Sequence, residues 1–299
     1  MPQFIDTPAL DGKESSPKRL WDVTSLPDAE NARKWQSILR STAIKQSLKH
    51  YALHTKEIAD HGIPRSDLDL SGVVLLCGPP GVGKTTLAHG FANEYAKTQG
   101  LLTRLFDLRT EHLFSELLGQ SPKELAKAFT GLRFAAEQSP CVLLVNEIEA
   151  IAFARNKVIS SSDPSDLVRF VDQLYREIDS LQAYPNALVV GTSNFPEVID
   201  GAFWERADLV LQIGLPDLPT RQAILQARLR TVSALGLMLS TDEVLSLAKA
   251  ADGMSGRTLG KLFSRTYFEQ GVAYADMSVE HILATITRTP MKEPSDASR

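Results

Sequence analysis

Up to about residue 215, the chain alternates between short apolar runs and longer amphipathic segments. The longer segments place apolar residues three and four positions apart, as helices do, most clearly in 122–138 and 165–181. A continuous apolar run such as 141–145 is typical of a parallel strand buried on both faces. The alternation predicts an α/β fold in which helices sandwich a parallel five-stranded sheet. The five predicted strands are 73–77, 102–108, 141–145, 187–193 and 209–213.

The pattern changes at Pro216 and Pro219. Helical periodicity alone follows, and an earlier stretch within 20–70 is helical too. The two ends of the chain are rich in Pro, Ser and charged residues, which predicts disorder. The predicted helices are 29–61, 220–232, 241–250, 255–274 and 278–286. The predicted organisation is a disordered start at 1–19, a large α/β domain at 20–215 with an N-terminal helical segment at 20–70, a small all-helical domain at 216–288 and a disordered tail at 289–299.

Composition and charge narrow the class of protein. The 299 residues are 43% hydrophobic and carry a net charge of −4, so the chain has no broad positive field for nucleic acid. No apolar stretch approaches the roughly 20 residues of a membrane span, and the polar start, 1–16, is unlike a signal peptide. Cys77 and Cys141 lie in apolar runs, as reduced buried thiols do. We expect a cytoplasmic protein without a nucleic-acid or membrane partner.

A phosphate-binding loop follows the first strand of the predicted sheet. Residues 78–85 read Gly-Pro-Pro-Gly-Val-Gly-Lys-Thr, which matches the pattern of that loop at every required position. The glycines let backbone N–H groups surround a triphosphate. Lys84 would reach the β- and γ-phosphates, and the Thr85 hydroxyl would ligate Mg²⁺. The expected cofactors are therefore ATP and Mg²⁺. The predicted binding residues are Gly78, Pro79, Pro80, Gly81, Val82, Gly83, Lys84, Thr85 and Thr86.

The strand 141–145 ends in Asn146-Glu147, where a phosphate-loop ATPase usually has Asp-Glu. Glu147 is the candidate general base that polarises the attacking water. Asn146 takes the place of the Asp that orders Mg²⁺ through a bound water, so it is a candidate metal-site residue. Its amide oxygen can accept a hydrogen bond but brings no charge to the cation. We therefore expect weakened Mg²⁺ affinity and hydrolysis. Three interpretations stay open: a slow but working ATPase, a chain disabled on purpose, and a nucleotide-binding pseudo-enzyme.

The loop, the acidic motif, a polar residue on the next strand and the helical C-terminal part together resemble the AAA+ ATPases. Asn194, in Thr-Ser-Asn, resembles the first sensor of that family, which positions the attacking water. Arg257, in Gly-Met-Ser-Gly-Arg, resembles the second sensor, which reaches from a helical lid to the γ-phosphate. Arg206 stands where the family keeps an arginine finger that acts on the neighbouring subunit. The resemblance implies a hexameric ring, with Glu147, Asn194, Arg206 and Arg257 as catalytic residues.

Each of these residues also has an ordinary structural interpretation. Asn194 could cap the turn after its strand, because Asn is common there. Arg257 could be a surface residue of a helix. Arg206 could pair with Glu205 or Asp208 on an exposed face, where such pairs contribute little. The order in which the three residues occur along the chain favours the family roles.

Shorter motifs between Ala154 and Lys261 narrow the resemblance. These motifs are Ala154-Arg-Asn156, Asp163-Pro-Ser-Asp-Leu-Val-Arg-Phe-Val-Asp-Gln-Leu174, Ile178-Asp179, Thr192-Ser-Asn194, Arg206-Ala-Asp208 and Met254-Ser-Gly-Arg257. Together they resemble the pachytene-checkpoint, or thyroid-receptor-interactor, type of AAA+ remodeller. That resemblance implies an ATP-driven ring that opens HORMA-domain proteins and, in compact bacterial members, regulates anti-phage second-messenger signalling. The implied partners are a HORMA-domain protein, alone or bound to a nucleotidyltransferase, and further copies of this chain.

One segment departs from the family pattern. Residues 114–119 take the place of the loop that grips substrate in the central pore, but they offer Leu117 and Leu118 where an aromatic residue is usual. We predict that Leu117, Leu118 and Gly119 contact the substrate, with a buried helix turn as the alternative. The Ser-rich segment 156–163 is a candidate second pore loop.

Two other functions stay open. A nucleotide-gated scaffold would bind its partner without turnover, as Asn146 permits. A DNA-linked AAA+ loader is the other alternative, although the sequence has no basic run to support it. Turnover stimulated by a HORMA partner would separate the remodeller from both.

Overall fold

The computed structural model describes residues 20–39, 42–108, 122–149, 165–195, 197 and 201–289. Several predictions concern residues outside these ranges. They are the disorder at 1–19 and in the tail after residue 289, the pore-loop residues Leu117, Leu118 and Gly119, and the second pore loop at 156–163.

The α/β fold predicted from the sequence is confirmed. Within the described ranges, six strands form one sheet in the spatial order β1-β3-β4-β5-β2-β6. Strands β2 to β6 match the five predicted strands to within one residue at each end, and all four pairings among them are parallel. The strands are β1 (Trp21–Leu26), β2 (Val73–Cys77), β3 (Thr103–Leu108), β4 (Cys141–Val145), β5 (Ala187–Ser193) and β6 (Leu209–Gln212).

The sixth strand corrects the prediction that 20–70 is a helical segment. Strand β1 pairs antiparallel with β3 at the edge of the sheet, with Trp21 opposite Leu108. Four of its six residues are exposed, so it lacks the apolar pattern by which strands are recognised. Trp21 fixes this strand to the core, because its ring packs edge-on against the rings of Phe106 and Phe129. The distances between ring centroids are 5.6 Å to Phe106 and 5.4 Å to Phe129.

The helices cover both faces of the sheet and make up most of the C-terminal part. They are α1 (Ala29–Ser37), α2 (Thr42–Asp60), α3 (Lys84–Gln99), α4 (Pro122–Gln138), α5 (Ser165–Ser180), α6 (Gly201–Trp204), α7 (Leu218–Val232), α8 (Thr241–Ala250), α9 (Gly256–Gly260), α10 (Leu262–Gln270) and α11 (Val279–Arg288). Short 3₁₀ turns occupy Arg65–Leu68, Leu181–Ala183, Ser233–Leu235 and Tyr274–Asp276.

Two long helices predicted from periodicity are each divided in the structure. The predicted helix 29–61 is interrupted at Ile38, whose backbone is extended, so that α1 and α2 are separate. The predicted helix 255–274 is divided at Lys261 into α9 and α10, and the left-handed Gly271 ends α10 before Tyr274. Periodicity missed both breaks because apolar residues continue through them at helical spacing.

Strand alternation divides the core between the two faces of the sheet. Leu75 and Leu143 face α4 and α5 in one cluster of buried residues. Their neighbours Leu76 and Leu144 face α1, α2 and α3 in a second cluster. Successive side chains of a strand point to opposite faces, so a fully apolar strand supplies both cores at once.

The C-terminal helices have a hydrophobic core of their own. Its buried members all lie within 225–286 and include Leu225, Leu247 and Ile282. This separate core is compatible with the predicted helical domain, whose boundaries near 216 and 288 stay predictions. Among the helices described, none combines the length and the apolar composition needed to cross a bilayer.

The contact between α1 and α3 allows a test of the N-terminal packing. Trp35 is 7% exposed, and a Cβ at Gly90 of α3 would lie 2.7 Å from the Trp35 Cα, so the two helices are in close contact. Trp35→Ala should lower the free energy of unfolding by about 3–5 kcal/mol, measured by urea denaturation and circular dichroism. Leu53→Ala is the control, because Leu53 is 56% exposed and should have little effect. Equal midpoints for both variants would contradict the assigned packing.

Candidate nucleotide site

The loop between β2 and α3 has a backbone that only glycine adopts easily. Gly78 has φ 148° and Gly81 has φ 80°. A Cβ at Gly78 would lie 2.1 Å from the Ile213 carbonyl oxygen, and one at Gly81 would lie 2.7 Å from the Ser255 hydroxyl. Helix α3 begins directly after the loop, at Lys84. The positive end of its dipole and its free N–H groups therefore point to where the loop can receive an anion.

Lys84 connects this loop to the end of β5. Its side chain is buried, and Nζ donates to the carbonyl oxygens of Gly78 and Pro79 at 2.7 and 2.9 Å. It also donates to Oδ1 of Asn194 at 2.7 Å. Burial lowers the pKa of Lys84 from its usual 10.5 to about 8. The structure thus places the predicted phosphate-binding lysine next to the predicted first sensor.

Glu149 orients Asn194 and was not identified from the sequence. Its Oε1 accepts hydrogen bonds from the Asn194 backbone N–H at 2.9 Å and from Nδ2 at 3.0 Å. Because Nδ2 is held in this way, the amide oxygen of Asn194 is directed at Lys84. Glu149 is 4% exposed. One sequence signal could have identified Glu149: it lies between the apolar residues Ile148 and Ala150. A carboxylate in such a setting is often buried, and a buried charge requires hydrogen-bond partners.

Glu147 follows Asn146 directly after β4, and its backbone conformation is strained. Its φ is 53°, in the left-handed region that residues other than glycine seldom adopt. The side chain is exposed and lines the cavity described below. Its backbone N–H donates to the Thr192 hydroxyl at 3.2 Å. Strain of this kind persists where surrounding contacts hold a residue in place, as they do at catalytic positions.

A cavity of about 500 Å³ lies between the phosphate-binding loop and the C-terminal helices. The loop and the strand ends form its polar wall, and the end of α1 together with α7 and α9 forms the opposite wall. Its lining comprises Ser37, Ile38, Leu39, Pro80, Gly81, Val82, Gly83, Lys84, Thr85, Thr86, Glu147, Thr192, Asn194, Thr220, Ile224, Ala227, Arg228, Gly256 and Arg257. The volume is within the range of small-molecule and cofactor sites.

The apolar part of the cavity was not predicted residue by residue. Ile38 and Leu39 come from the end of α1, and Ile224 and Ala227 come from α7. Arg228 also lines the cavity and is a second arginine there beside the predicted Arg257. No sequence signal marks these residues as a group, because they meet only after distant segments pack together. Apolar walls of this kind suit the face of a nucleobase.

The structure brings most of the predicted site residues together. Thr85, Thr86, Glu147, Asn194 and Arg257 all line the cavity. The carbonyl oxygens of Gly78 and Pro79 are instead bound by the lysine of the loop. The backbone N–H of Arg257 donates to the Gly81 carbonyl at 3.0 Å, so the C-terminal part contacts the phosphate-binding loop directly.

Arg206 and Asn146 are not among the described residues that line the cavity. Arg206 pairs with Asp179, with a second contact of 2.8 Å, and its guanidinium lies 5.5 Å from the centroid of the Tyr175 ring. The Asn146 side chain donates to Asp107 at 3.1 Å and accepts from Thr192 at 3.2 Å. Asp179 is thus an acidic partner of Arg206 that the sequence did not suggest.

The residues present fit ATP and Mg²⁺. The backbone of the loop has positive φ at Gly78, Gly81 and Gly83, and Lys84 and Arg257 line the same cavity as cationic side chains. Lys84 and the loop N–H groups would hold the phosphates, and the Thr85 hydroxyl would face the cation. Bound ATP supplies the transferable phosphoryl group, and Mg²⁺ neutralises charge on it. Glu147 and Asn194 line the same cavity.

Comparison with known proteins agrees with this site. A family described as "ATPase family associated with various cellular activities (AAA)" matches residues 74–215. Pachytene checkpoint protein 2 homolog of Oryza sativa is 30% identical over 295 residues, with 86% of this chain and 63% of that protein covered. CD-NTase-associated protein 6 of Pseudomonas aeruginosa is 31% identical over 280 residues, with 90% of this chain and 92% of that protein covered. This chain thus spans less than two thirds of the rice protein.

Solved structures show the same fold. The structure of C. elegans PCH-2 matches with a TM-score of 0.74 and 21% identity, covering 91% of this chain and 75% of that one. A chain of the E. coli HORMA:CdnC:Trip13 complex matches with a TM-score of 0.74 and 20% identity, covering 91% and 96%. At these identities the likeness concerns the fold alone.

The fold, the nucleotide site and these matches define an AAA ATPase, a class of proteins that bind and hydrolyse ATP with Mg²⁺. Within that class, the chain belongs to the pachytene checkpoint protein 2 and Trip13 family. The resemblance predicted from the sequence is confirmed.

The lowered pKa of Lys84 predicts how nucleotide affinity depends on pH. A Lys whose pKa is about 8 in the free protein loses its charge as pH rises through 8. Because phosphates bind the charged form, affinity for ATP should fall by up to about tenfold per pH unit above that value. Fluorescence titration between pH 7 and pH 9.5 measures this dependence. Lys84→Arg is the control, since its guanidinium stays charged. Identical pH profiles for both proteins would contradict the assignment.

The contact between Glu149 and Asn194 predicts a loss of turnover. Glu149→Ala leaves two donors of the half-buried Asn194 without their acceptor, which costs about 1 kcal/mol, and releases the side chain that is predicted to position water. Phosphate release at saturating ATP should fall by roughly 100-fold. Glu137→Ala removes an exposed carboxylate from α4 and should change neither stability nor turnover. Wild-type turnover in Glu149→Ala would show that the contact has no role in hydrolysis.

Proposed function

We propose that this chain is an ATP-driven, ring-forming remodeller that opens HORMA-domain proteins and so regulates a bacterial anti-phage signalling system. The observation that carries the proposal is the cavity between two separately packed parts of the chain. Loop 78–86 belongs to the sheet domain, whereas Arg257 and Arg228 belong to the part with its own helical core. A ligand bound between two such parts can bias their relative position, and hydrolysis can then drive movement.

The roles of the site residues follow from their positions. Glu147 is proposed as the general base, Asn194 as the residue that positions water, and Arg257 as a contact to the γ-phosphate. Lys84 holds the β- and γ-phosphates through its charged Nζ. These groups converge on one cavity, which supports a single reaction centre for phosphoryl transfer to water.

The partner is proposed from the relatives. The P. aeruginosa relative is named for its association with a CD-NTase, and this chain covers 92% of its length. The similar E. coli chain comes from a complex that contains HORMA and CdnC. A HORMA-domain protein, alone or bound to the nucleotidyltransferase, is therefore the proposed partner.

The proposed ring is supported by the position of Arg206. This residue is held by Asp179 and Tyr175 and does not line the cavity of its own subunit in the part of the chain described. An arginine at such a position would act on the nucleotide of the next subunit. Fingers supplied in this way contribute roughly 10³–10⁵ to turnover in other phosphate-loop enzymes.

The deciding experiment measures phosphate release by the purified protein with and without a purified bacterial HORMA-domain protein. Stimulated turnover is the expected result. Changing Leu117 and Leu118 to Ala should abolish stimulation while nucleotide binding is retained, because the proposed pore contact is lost. The matched control changes Leu101 and Leu102, which are also adjacent and are 59% and 63% exposed.

Other outcomes select other functions. Nucleotide-dependent assembly with the partner but without phosphate release selects the scaffold. Turnover stimulated by DNA instead of the HORMA protein selects a DNA-linked loader. Full stimulation of the Leu117 and Leu118 variant would remove the pore-loop assignment and leave the ATPase site unaffected.

A further inference from the structure

We propose that Asp107 supplies the negative charge that the acidic motif lacks at Asn146, and that it is a positioning residue for the magnesium side of the nucleotide site. Asn146 by itself leaves the acidic motif one negative charge short of the usual Asp-Glu. The structure places a carboxylate from the neighbouring strand directly against the Asn146 side chain.

Strand alternation explains why these groups meet. Strands β3, β4 and β5 are parallel neighbours, with Leu108 opposite Val145 and Val145 opposite Gly191. Leu105, Val142, Leu144, Leu188 and Val190 belong to the cluster on the α3 face of the sheet. Asp107, Asn146 and Thr192 are each two residues beyond a member of that set, so they lie on the same face at the carboxyl ends of their strands.

A continuous line of hydrogen bonds joins the three side chains. Asn146 Nδ2 donates to Asp107 Oδ1 at 3.1 Å, and the Thr192 hydroxyl donates to Asn146 Oδ1 at 3.2 Å. The Thr192 oxygen also accepts from the backbone N–H of Glu147 at 3.2 Å. The Asn146 amide therefore has one orientation, because its nitrogen faces a carboxylate and its oxygen faces a hydroxyl. Asp107 is thus connected to the backbone of the proposed general base.

The second oxygen of Asp107 connects to the helix that carries Thr85. Asp107 Oδ2 lies 3.3 Å from Nε2 of His89. His89 is four residues after Thr85 on α3, so the two side chains lie on the same face of that helix. The Asp107 side chain is 30% exposed, and it reaches the cavity through Asn146 and Thr192, of which Thr192 lines the cavity. One carboxylate thus connects α3 with the acidic motif.

The Asn146–Asp107 pair is chemically complementary, and the usual residue would not be. An Asp at position 146 would place two carboxylates in contact, and like charges at that distance oppose each other's ionisation. With Asn at 146, the pair has a single charge and a donor that holds it. The Asn146–Asp107 pair therefore carries one negative charge, as an Asp at position 146 would. That charge belongs to Asp107 on β3 instead of to a residue after β4.

The test exchanges the two residues. Four proteins are compared: wild type, Asp107→Asn, Asn146→Asp, and the double exchange. The affinity for a fluorescent ATP analogue is titrated with increasing Mg²⁺ and, separately, in EDTA. Asp107→Asn should weaken the apparent Mg²⁺ affinity roughly 10–100-fold, as loss of an outer-shell carboxylate does elsewhere, with nucleotide affinity in EDTA unchanged. Asn146→Asp should give no gain, and the double exchange should restore the wild-type Mg²⁺ dependence.

The design separates this role from a structural one. A carboxylate needed only for folding would, when lost, weaken binding equally in EDTA and in Mg²⁺, and the double exchange would not restore it; that result overturns the proposal. Full Mg²⁺ dependence in Asp107→Asn, or a stronger dependence in Asn146→Asp, overturns it too. Asp60→Asn is the matched control, because Asp60 is an exposed carboxylate at the end of α2.

The inference rests on the ATP and Mg²⁺ site of the proposed function and not on its partner. Failure of a HORMA protein to stimulate turnover would leave these four titrations unchanged. Wild-type protein that binds no nucleotide, with or without Mg²⁺, would instead overturn the nucleotide site and this inference together.

Discussion

Parallel pairing of β3, β4, β5 and β2 brings four carboxyl ends to one edge of the sheet. The polar wall of the site depends on that constraint. The loop after β2 supplies Lys84, the end of β4 leads into Glu147, and the end of β5 supplies Asn194. Parallel sheets place ligands at this edge because the strand ends and helix N-termini both face it. Here the edge also holds the polar line from Asp107 to Thr192.

Hydrogen bonds join several polar side chains of the site to one another. Lys84 is held by the loop carbonyls and by Asn194, Asn194 by Glu149, and Asn146 by Asp107. Burial alone would make such groups costly, and their mutual hydrogen bonds offset that cost. The C-terminal part completes the cavity through the contact of Arg257 with Gly81. Nucleotide chemistry and the relative position of the two parts are therefore linked through the same few residues.

Features that a few consecutive residues determine could be predicted from the sequence. The apolar runs predicted β2 to β6, and the glycine loop predicted the phosphate site, since both signals lie within a few consecutive residues. Prediction from the sequence failed at β1, whose exposed residues have no strand pattern and whose place depends on pairing with β3. It also missed Glu149 and the apolar wall formed by Ile38 and Ile224, because a lone residue has no motif and the wall combines segments far apart in the chain.

The sequence by itself determined the α/β class, the triphosphate loop, the acidic motif and the family. Those properties follow from strand and helix periodicity and from the spacing of chemically required residues. Only the tertiary structure decided which side chains share a hydrogen bond. It paired Asp107 with Asn146, Glu149 with Asn194, and Arg206 with Asp179. Partners of this kind lie 27 to 45 positions apart along the chain, and strand order and helix packing alone bring them together.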